Sequence, residues 1–223
     1  MIAMKQKRLL DVVMTIGLLL CMGYRMTGEC LHEWLGLAVL VLFIGHLIGD
    51  RYWFKTLFKQ KKSLVKGFQN VVNGLVLFMA LGLLVSSCMI SNQVLTFVPL
   101  NHLGEGVGHT PHTVCATLGF LVLSMHLGLH WSMLTAGWRK HWPISAKKWV
   151  KSAGEVFIVG VGIAAMVHSH YFTLIFSDTS EVAVQTSPVL FFVEYGAILF
   201  LWLWLANTVR SLLLARQIKL KKV

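Results

Sequence analysis

Charged residues are scarce in this chain. Only 13% of its 223 residues are Asp, Glu, Lys or Arg, about half the share of a typical soluble domain, whereas 56% are hydrophobic. The charges lie between long apolar runs rather than evenly along the chain, and the mean hydropathy is +0.70. These features exclude an ordinary soluble domain and are typical of a protein whose helices cross a membrane, each with about 20 apolar residues.

Cysteine signatures are also missing. The four cysteines, Cys21, Cys30, Cys88 and Cys115, form neither a C-x-x-C pair nor the C-x-x-C-H motif that attaches haem covalently, so any haem is expected to be held by non-covalent contacts. We expect buried free thiols, with a Cys30–Cys115 disulfide as the alternative. The chain contains no dinucleotide-binding fingerprint, and we predict no NAD or flavin site in it.

Acidic residues are fewer than basic ones, 9 against 20, which gives a formal charge of +11. The basic residues lie in short segments between apolar runs, so membrane lipid rather than nucleic acid is the expected partner. The segments between apolar runs alternate between the two sides of the membrane; 19 of the 20 basic residues are predicted on one side, and Arg25 on the other. Because positive charge is retained on the cytoplasmic side, we predict an inner (cytoplasmic) membrane protein with both termini in the cytoplasm.

Apolar runs give the fold class. They cover residues 9–26, 30–53, 67–91, 112–136, 152–176 and 188–213. Such runs must be helical in lipid, because every backbone polar group needs a partner within its own helix. We therefore predict an all-α integral membrane bundle of six transmembrane helices. Residues 1–140 are expected to form a four-helix core, and 141–223 two further helices with a basic cytoplasmic tail. Thr110-Pro111 is expected to open the fourth helix.

Histidines recur at one spacing in two of these helices. His32 and His46 lie on the second helix, and His112 and His126 on the fourth, each pair 14 positions apart. Fourteen residues turn a helix by roughly four turns less about 40° and rise by about 21 Å. Both members of a pair thus face nearly the same direction, near opposite membrane surfaces. Because the two helices run in the same direction, His32 is expected level with His112 and His46 level with His126.

Ionisable side chains inside a membrane are costly and usually functional. Two matched pairs of imidazoles predict two non-covalent haem b groups, each held by two histidines in the four-helix core. Another metal site and plain packing of the histidines are the alternatives. Small residues would let helices approach or give room to a porphyrin face. The glycines expected to do so are Gly17, Gly36, Gly74, Gly82 and Gly119.

Further residues are candidates for contacts with these haems. His130, four positions after His126, is the alternative ligand of the inner haem or a partner of its propionate. Arg25 is the outer candidate for a propionate contact. Arg51 and Lys66 are the inner candidates, and the alternative for both is a purely topological role.

A second group of ionisable residues is expected at the outer side. His168 and His170 end the fifth helix, and Glu194 lies in the outer part of the sixth. A histidine and a carboxylate near a haem can accept protons from a quinol, so these three are candidate proton-transfer residues of a quinone site. The alternative is that they are hydrated interface residues. His102 and His109 are weaker candidates for an outer metal or substrate site.

The histidine pairing resembles the ligand pattern of quinol-oxidising cytochromes b and of ferric reductase and NADPH oxidase membrane domains. The segments LHEWLGLAVLVLFIGH (31–46) and PHTVCATLGFLVLSMHLGLHW (111–131) resemble the small bacterial flavinylation-associated cytochromes, most specifically at SMHLGLHW, over about residues 8–135. That family carries a charged residue and an aromatic pair where this chain has Val114, Ala116 and Leu118. The resemblance implies electron transfer to an extracytosolic flavin-bearing partner.

Three functions follow as hypotheses. The first is an electron-transfer subunit with two b haems, supplied by a quinol or a cytoplasmic-side donor. The second is a transmembrane ferric or quinone reductase whose active site lies at the outer haem. The third is a metal-ion transporter lined by histidine, which would need carboxylates beside these histidines at membrane depth, and the second and fourth helices have none there.

Overall fold

The computed structural model of the chain describes residues 4–57, 59, 63–98, 100, 105–141, 148–173 and 187–220. Over these residues the protein is helical and has no strand, which confirms the all-α class. The helices are α1 (Met4–Met22), α2 (Tyr24–Gly49), α3 (Arg51–Thr56), α4 (Leu64–Ile90), α5 (Glu105–His141), α6 (Lys148–His168) and α7 (Pro188–Leu220).

Four segments within the described ranges are long and apolar enough to cross a membrane. They are Tyr24–Gly49, Leu64–Ile90, Val107–Thr135 and Pro188–Leu220. Helix α1 carries Lys7, Arg8 and Asp11 near its beginning, and the apolar part of α6, Ser152–His168, is shorter than the others. The chain is therefore compatible with a multi-pass membrane protein.

Several helix boundaries differ from the predicted ones; α6, for example, ends at His168, whereas the fifth apolar run was predicted to extend to residue 176. The first break falls at Gly23, earlier than predicted, and α2 contains a kink at Gly28, whose φ of 72° and ψ of 169° are accessible almost only to glycine. Helix α2 ends at Gly49, so Arg51 belongs to the separate helix α3. The prediction that Thr110-Pro111 opens the fourth helix is wrong, because α5 begins at Glu105 and Pro111 lies inside it.

The extra turns before Pro111 have a packing partner. A Cβ added at Gly108 would overlap the Ile90 side chain, so the backbone of α5 lies directly against the end of α4 here. This close approach stabilises the helical turns before Pro111, where the Thr110-Pro111 signal alone predicts that the helix has not yet begun.

The chain forms two compact units. The first consists of Met1–Lys61 and Met79–Ala116, and the second of Lys62–Phe78 and Thr117–Val223. In the first unit α1 packs along α2, with Gly17 against Val39, where a Cβ would lie 2.7 Å from the valine methyl. The predicted division at residue 140 separates a four-helix core from two further helices by function and not by packing, and it stays a prediction.

The second unit holds most of the buried core. Helix α6 packs along α7, and Gly162 lies against Leu201. Gly128 of α5 lies against the backbone carbonyl of Leu203, so only glycine fits there. Around these contacts the buried side chains are aromatic and aliphatic, among them Phe120, Tyr171, Tyr195, Ile198 and Leu203.

Candidate functional site

His32 and His112 come together in the first unit. Their imidazole centroids are 6.1 Å apart, and the ring planes are inclined by 67°. Helix α2 supplies one ring and α5 the other, as the spacing predicted. Two imidazoles that bind one metal ion from opposite sides need about this separation, since two metal–nitrogen bonds of about 2 Å and half the width of each ring add up to about 6 Å. The centroid distance is therefore compatible with two imidazoles that bind one metal ion.

Serine hydroxyls orient His112. Its Nδ1 lies 3.2 Å from Ser86 Oγ and 3.4 Å from Ser87 Oγ, both on α4. The direction of the contact depends on the tautomer of His112; when the Ser86 hydroxyl donates to the backbone carbonyl of Gly82 at 2.8 Å, it accepts from His112. Nδ1 of His112 then carries the proton, and the lone pair is on Nε2. Histidines that bind metals usually have this arrangement, with the second ring nitrogen held by an oxygen acceptor.

His32 has a different environment. Its Nδ1 is buried and has no hydrogen-bond partner within the described part of the chain. The ring of Tyr24 meets it edge-on, with centroids 5.1 Å apart. A buried polar nitrogen is rarely left without a partner in a folded protein. The backbone of Cys21 also contacts the His32 ring.

His46 lies at the other end of α2, between two carboxylates. Its Nδ1 is 3.2 Å from Asp11 Oδ1 of α1, and its Nε2 is 3.6 Å from Asp50 Oδ2. Asp50 also forms an ion pair with Lys7. Asp11 is a carboxylate beside a candidate ligand. The sequence did not predict this contact, because Asp11 lies on the first helix and not on the second or fourth. The signal was a single acidic residue inside the first apolar run.

His126 is oriented by an amide in the second unit. Its Nδ1 lies 3.0 Å from Asn73 Oδ1 of α4. The His130 ring is 4.9 Å from that of His126, so both remain candidate ligands. His46 and His126 belong to different units, and their pairing stays a prediction. Within the described residues, no three His, Cys, Asp or Glu side chains form a group that could hold a metal ion by themselves.

The predicted outer group is only partly brought together. Glu194 is buried, 7% exposed, and its carboxylate is hydrogen-bonded to Nδ1 of His168, whose side chain is 60% exposed. His170 is exposed, has a positive φ of 49°, and is not part of this contact. Beside the pair, the buried Tyr171 hydroxyl donates to the backbone carbonyl of Thr117 at 2.8 Å. An exposed base therefore touches a buried carboxylate, a combination suited to moving a proton.

Glu33 forms a contact that the sequence analysis did not predict. Its carboxylate accepts hydrogen bonds from the Ser91 hydroxyl at 2.6 Å and from three successive backbone N–H groups, those of Asn92, Gln93 and Val94, at 2.8–3.1 Å. These hydrogen bonds join the segment after α4 to α2 at Glu33, the residue that follows His32. No local sequence pattern predicts this contact, because Glu33 and the segment that donates to it are about 60 positions apart.

The remaining candidate residues differ in their exposure and in how closely a neighbouring helix approaches them. Gly82 lies against Cys115, which confirms a close helix approach there, whereas a Cβ at Gly36 or Gly74 would meet nothing within 4 Å. All four cysteines are free thiols, as expected, but the expectation that they are buried is wrong, because Cys30 is exposed and the other three are half-buried. Arg25, Arg51, Lys66, Gly36 and His109 are exposed, Gly119 is half-buried, and His102 lies outside the described residues.

Comparison with known proteins adds no relative. No family model matches the chain, and neither a curated protein nor a solved structure is similar to it. The resemblance to the flavinylation-associated cytochromes therefore stays a prediction from the segments that contain the histidines.

Proposed function

We propose that this chain is a membrane-embedded b-type cytochrome with two haems that transfers electrons across the membrane. The donor is a quinol or a protein on the cytoplasmic side, and the acceptor lies on the opposite side. The separation of the His32 and His112 rings, 6.1 Å between centroids contributed by two helices, is the observation that carries the proposal.

Six membrane-spanning helices are part of the proposal. Helices α1 and α6 expose apolar side chains, as lipid-facing helices do. Examples are Leu9, Ile16, Val156, Phe157 and Val167, with exposures from 53% to 73%. Two charges of α1 have partners within the first unit, since Asp11 meets His46 and Lys7 meets Asp50. The distribution of basic residues supports cytoplasmic termini in an inner membrane.

Haem suits the imidazole pair better than a bare ion. Two facing imidazoles supply two ligands, whereas a structural zinc ion takes four from the protein. A porphyrin brings four nitrogens of its own and, when bound, supplies a one-electron couple. The chain's contribution is to hold the axial imidazoles, through Ser86 behind His112 and Asn73 behind His126.

The second haem rests on the sequence. His46 and His126 repeat the 14-residue spacing of the first pair, and His130 is the alternative to His126. The resemblance of residues 31–46 and 111–131 to flavinylation-associated cytochromes supports an extracytosolic flavin-bearing acceptor.

Two other functions have an observation in their favour. The His168–Glu194 hydrogen bond favours quinone chemistry, with Glu194 and His168 taking the protons of a quinol, or a quinone or ferric reductase whose active site lies at the outer haem. The position of Asp11 beside His46 favours a metal-ion transporter, because it supplies the carboxylate that this function needs.

A reduced-minus-oxidised absorption spectrum of the purified chain tests the proposal. We expect the sharp α-band of low-spin b haem and two haems per chain. His32→Ala and His112→Ala should each remove the same haem, and His46→Ala the other, so that each variant retains about half of the haem. A transporter would instead bind metal ions without this spectrum.

His109→Ala is the matched control, because His109 is exposed on α5 less than one turn before His112. It should leave the haem content unchanged. If His32→Ala and His46→Ala also leave it unchanged, the ligand assignment is wrong.

A further inference from the structure

The end of α4 is connected to both His32 and His112. On one side, the Ser87 hydroxyl lies 3.4 Å from Nδ1 of His112. One turn later, the N–H of Ser91 donates to the backbone carbonyl of Ser87 at 3.0 Å, and the Ser91 hydroxyl donates to the Glu33 carboxylate at 2.6 Å. Glu33 directly follows His32 on α2. The two histidines are therefore linked by hydrogen bonds through the end of α4.

The Glu33 carboxylate receives more donors than a neutral side chain of the same size could accept. Besides the Ser91 hydroxyl, the backbone N–H groups of Asn92, Gln93 and Val94 donate to it. An ionised carboxylate has about four lone-pair sites, whereas an amide has one acceptor oxygen and an NH2 group that is itself a donor. Hydrogen bonds to an ionised acceptor are also roughly twice as strong as those between neutral groups. The link between α2 and α4 therefore depends on the carboxylate.

Apolar burial does little to fix the rotation of α2 about its own axis. Helix α2, which the structure describes over its whole length, has no buried residue. The kink at Gly28 also separates the turns that carry His32 from the first turn of the helix. A rotation of about 20° would move an imidazole at the helix surface by about 2 Å, because the helix with its side chains has a radius of about 6 Å. Metal ligands must be held more closely than that, within about 0.5 Å.

We propose that Glu33 is a positioning residue of the haem site formed by His32 and His112. Its four hydrogen bonds fix the rotation of α2 against the end of α4 and thereby keep the His32 ring opposite that of His112, at 6.1 Å between centroids. Glu33 acts through the backbone of α2 and does not bind the iron. This inference rests on the proposed function and adds a residue that the site requires beyond its two ligands.

The spin state and the haem affinity of the full chain test the inference. A His46→Ala background is used, where the site of His32 and His112 binds alone, and haem is titrated into apoprotein. Glu33→Gln should raise the dissociation constant about tenfold, as is usual for residues that orient a metal ligand. Part of the ferric haem should become high-spin, because His32 no longer reaches the iron. Free imidazole should restore the low-spin spectrum, which it would not do for a loss of stability alone.

Glu29→Gln is the matched control. Glu29 lies one turn before Glu33 and accepts a single hydrogen bond from the Asn92 amide at 2.9 Å, which a glutamine can also accept. Its charge is lost but the contact stays, so the dissociation constant should change by twofold or less. Glu33→Asp is the converse control, because the charge of Glu33 also acts on His32. It keeps the charge but withdraws the carboxylate by about 1.5 Å, so it should weaken haem binding and raise the high-spin fraction.

Ser91→Ala keeps the inference testable if Glu33→Gln fails to fold. It removes one of the four donors and should change affinity and spin state in the same direction. The inference is overturned if haem-loaded Glu33→Gln keeps the affinity and low-spin spectrum of the background chain, or if Glu29→Gln weakens binding as much. Unchanged binding in Glu33→Asp would assign the effect to charge and also overturn it. Absence of haem from the wild-type chain would instead overturn the proposed function, and this inference with it.

Discussion

The two compact units obtain their internal contacts in different ways. Of the buried apolar side chains in the described ranges, all but Met14 belong to the second unit. There, Tyr171, Tyr195 and Phe120 form an aromatic cluster with centroids 5.7–6.4 Å apart. Helix α2 of the first unit has no buried residue. Polar pairs connect its helices instead, notably Asp11 with His46 and Ser86 with His112.

The difference in packing bears on the proposed haem sites. Large side chains pack closely in the second unit. The first unit holds its helices by contacts that also orient imidazoles, and a mostly apolar porphyrin would add the burial that its side chains provide sparsely. Under the proposed function, variants around His32 and His112 in the first unit and around His126 in the second are expected to affect haem binding, whereas variants of the His168–Glu194 pair are expected to affect turnover.

The largest expected effect is that of Glu194→Gln in the second unit. A glutamine keeps the shape of the side chain but cannot accept a proton from His168 or a quinol. General acid–base groups contribute about 100-fold or more to rates, so quinol oxidation by the haem-loaded chain should fall by about 100-fold with unchanged haem content. The measurement is haem reduction by a short-chain ubiquinol analogue in stopped flow.

His170→Ala is the control for Glu194→Gln. His170 is exposed, lies two residues after His168 and does not contact Glu194, so the rate should stay within about twofold of the wild type. Undiminished turnover in Glu194→Gln would remove this residue from the mechanism.

Gly28→Ala is expected to have an intermediate effect, on the stability of the first unit. The φ of 72° and ψ of 169° at this kink cost a residue with a Cβ about 1–3 kcal/mol, and the free energy of unfolding in detergent should fall by that amount. Gly36→Ala on the same helix is the matched control. A Cβ there meets nothing within 4 Å, so stability should stay the same or rise by up to about 1 kcal/mol. Equal losses in both variants would mean that the kink is not the cause.

The sequence predicted what depends on spacing along one helix. Apolar runs predicted the helices, and the 14-residue interval, together with the common direction of the two helices, predicted that His32 would lie level with His112. It did not predict the partners of the histidines, because contacts between helices depend on which faces pack, and one apolar face resembles another. Asp11 beside His46 and Ser86 behind His112 are contacts of this kind.

The beginning of α5 shows the opposite error. The Thr110-Pro111 signal is a genuine local preference, yet the helix extends beyond it to Glu105. Packing of Gly108 against the end of α4 outweighs a preference of about 1 kcal/mol for the cap. The contact of Glu33 with the segment after α4 was missed for a similar reason, since it joins residues that no short pattern connects.

The smallest expected effect is that of removing a buried serine hydroxyl, and each unit offers one such serine. Ser86 and Ser124 each donate a hydrogen bond to the carbonyl four residues earlier, at 2.8 and 2.7 Å, but only Ser86 also accepts from a candidate haem ligand. Loss of an oxygen acceptor behind a ligating histidine usually weakens metal binding by 10-fold or more. Ser86→Ala should therefore weaken haem binding by about tenfold, and Ser124→Ala should leave it unchanged.

The titration is best made in a His46→Ala background, where the site of His32 and His112 binds alone, with haem added to apoprotein and followed at the Soret band. Ser87 lies 3.4 Å from the same Nδ1 and can replace part of the lost contact, so the double change Ser86→Ala with Ser87→Ala should weaken binding further than Ser86→Ala alone. If the serine of the second unit matters as much as Ser86, the hydroxyl acts through helix packing, and the proposed difference between the units fails.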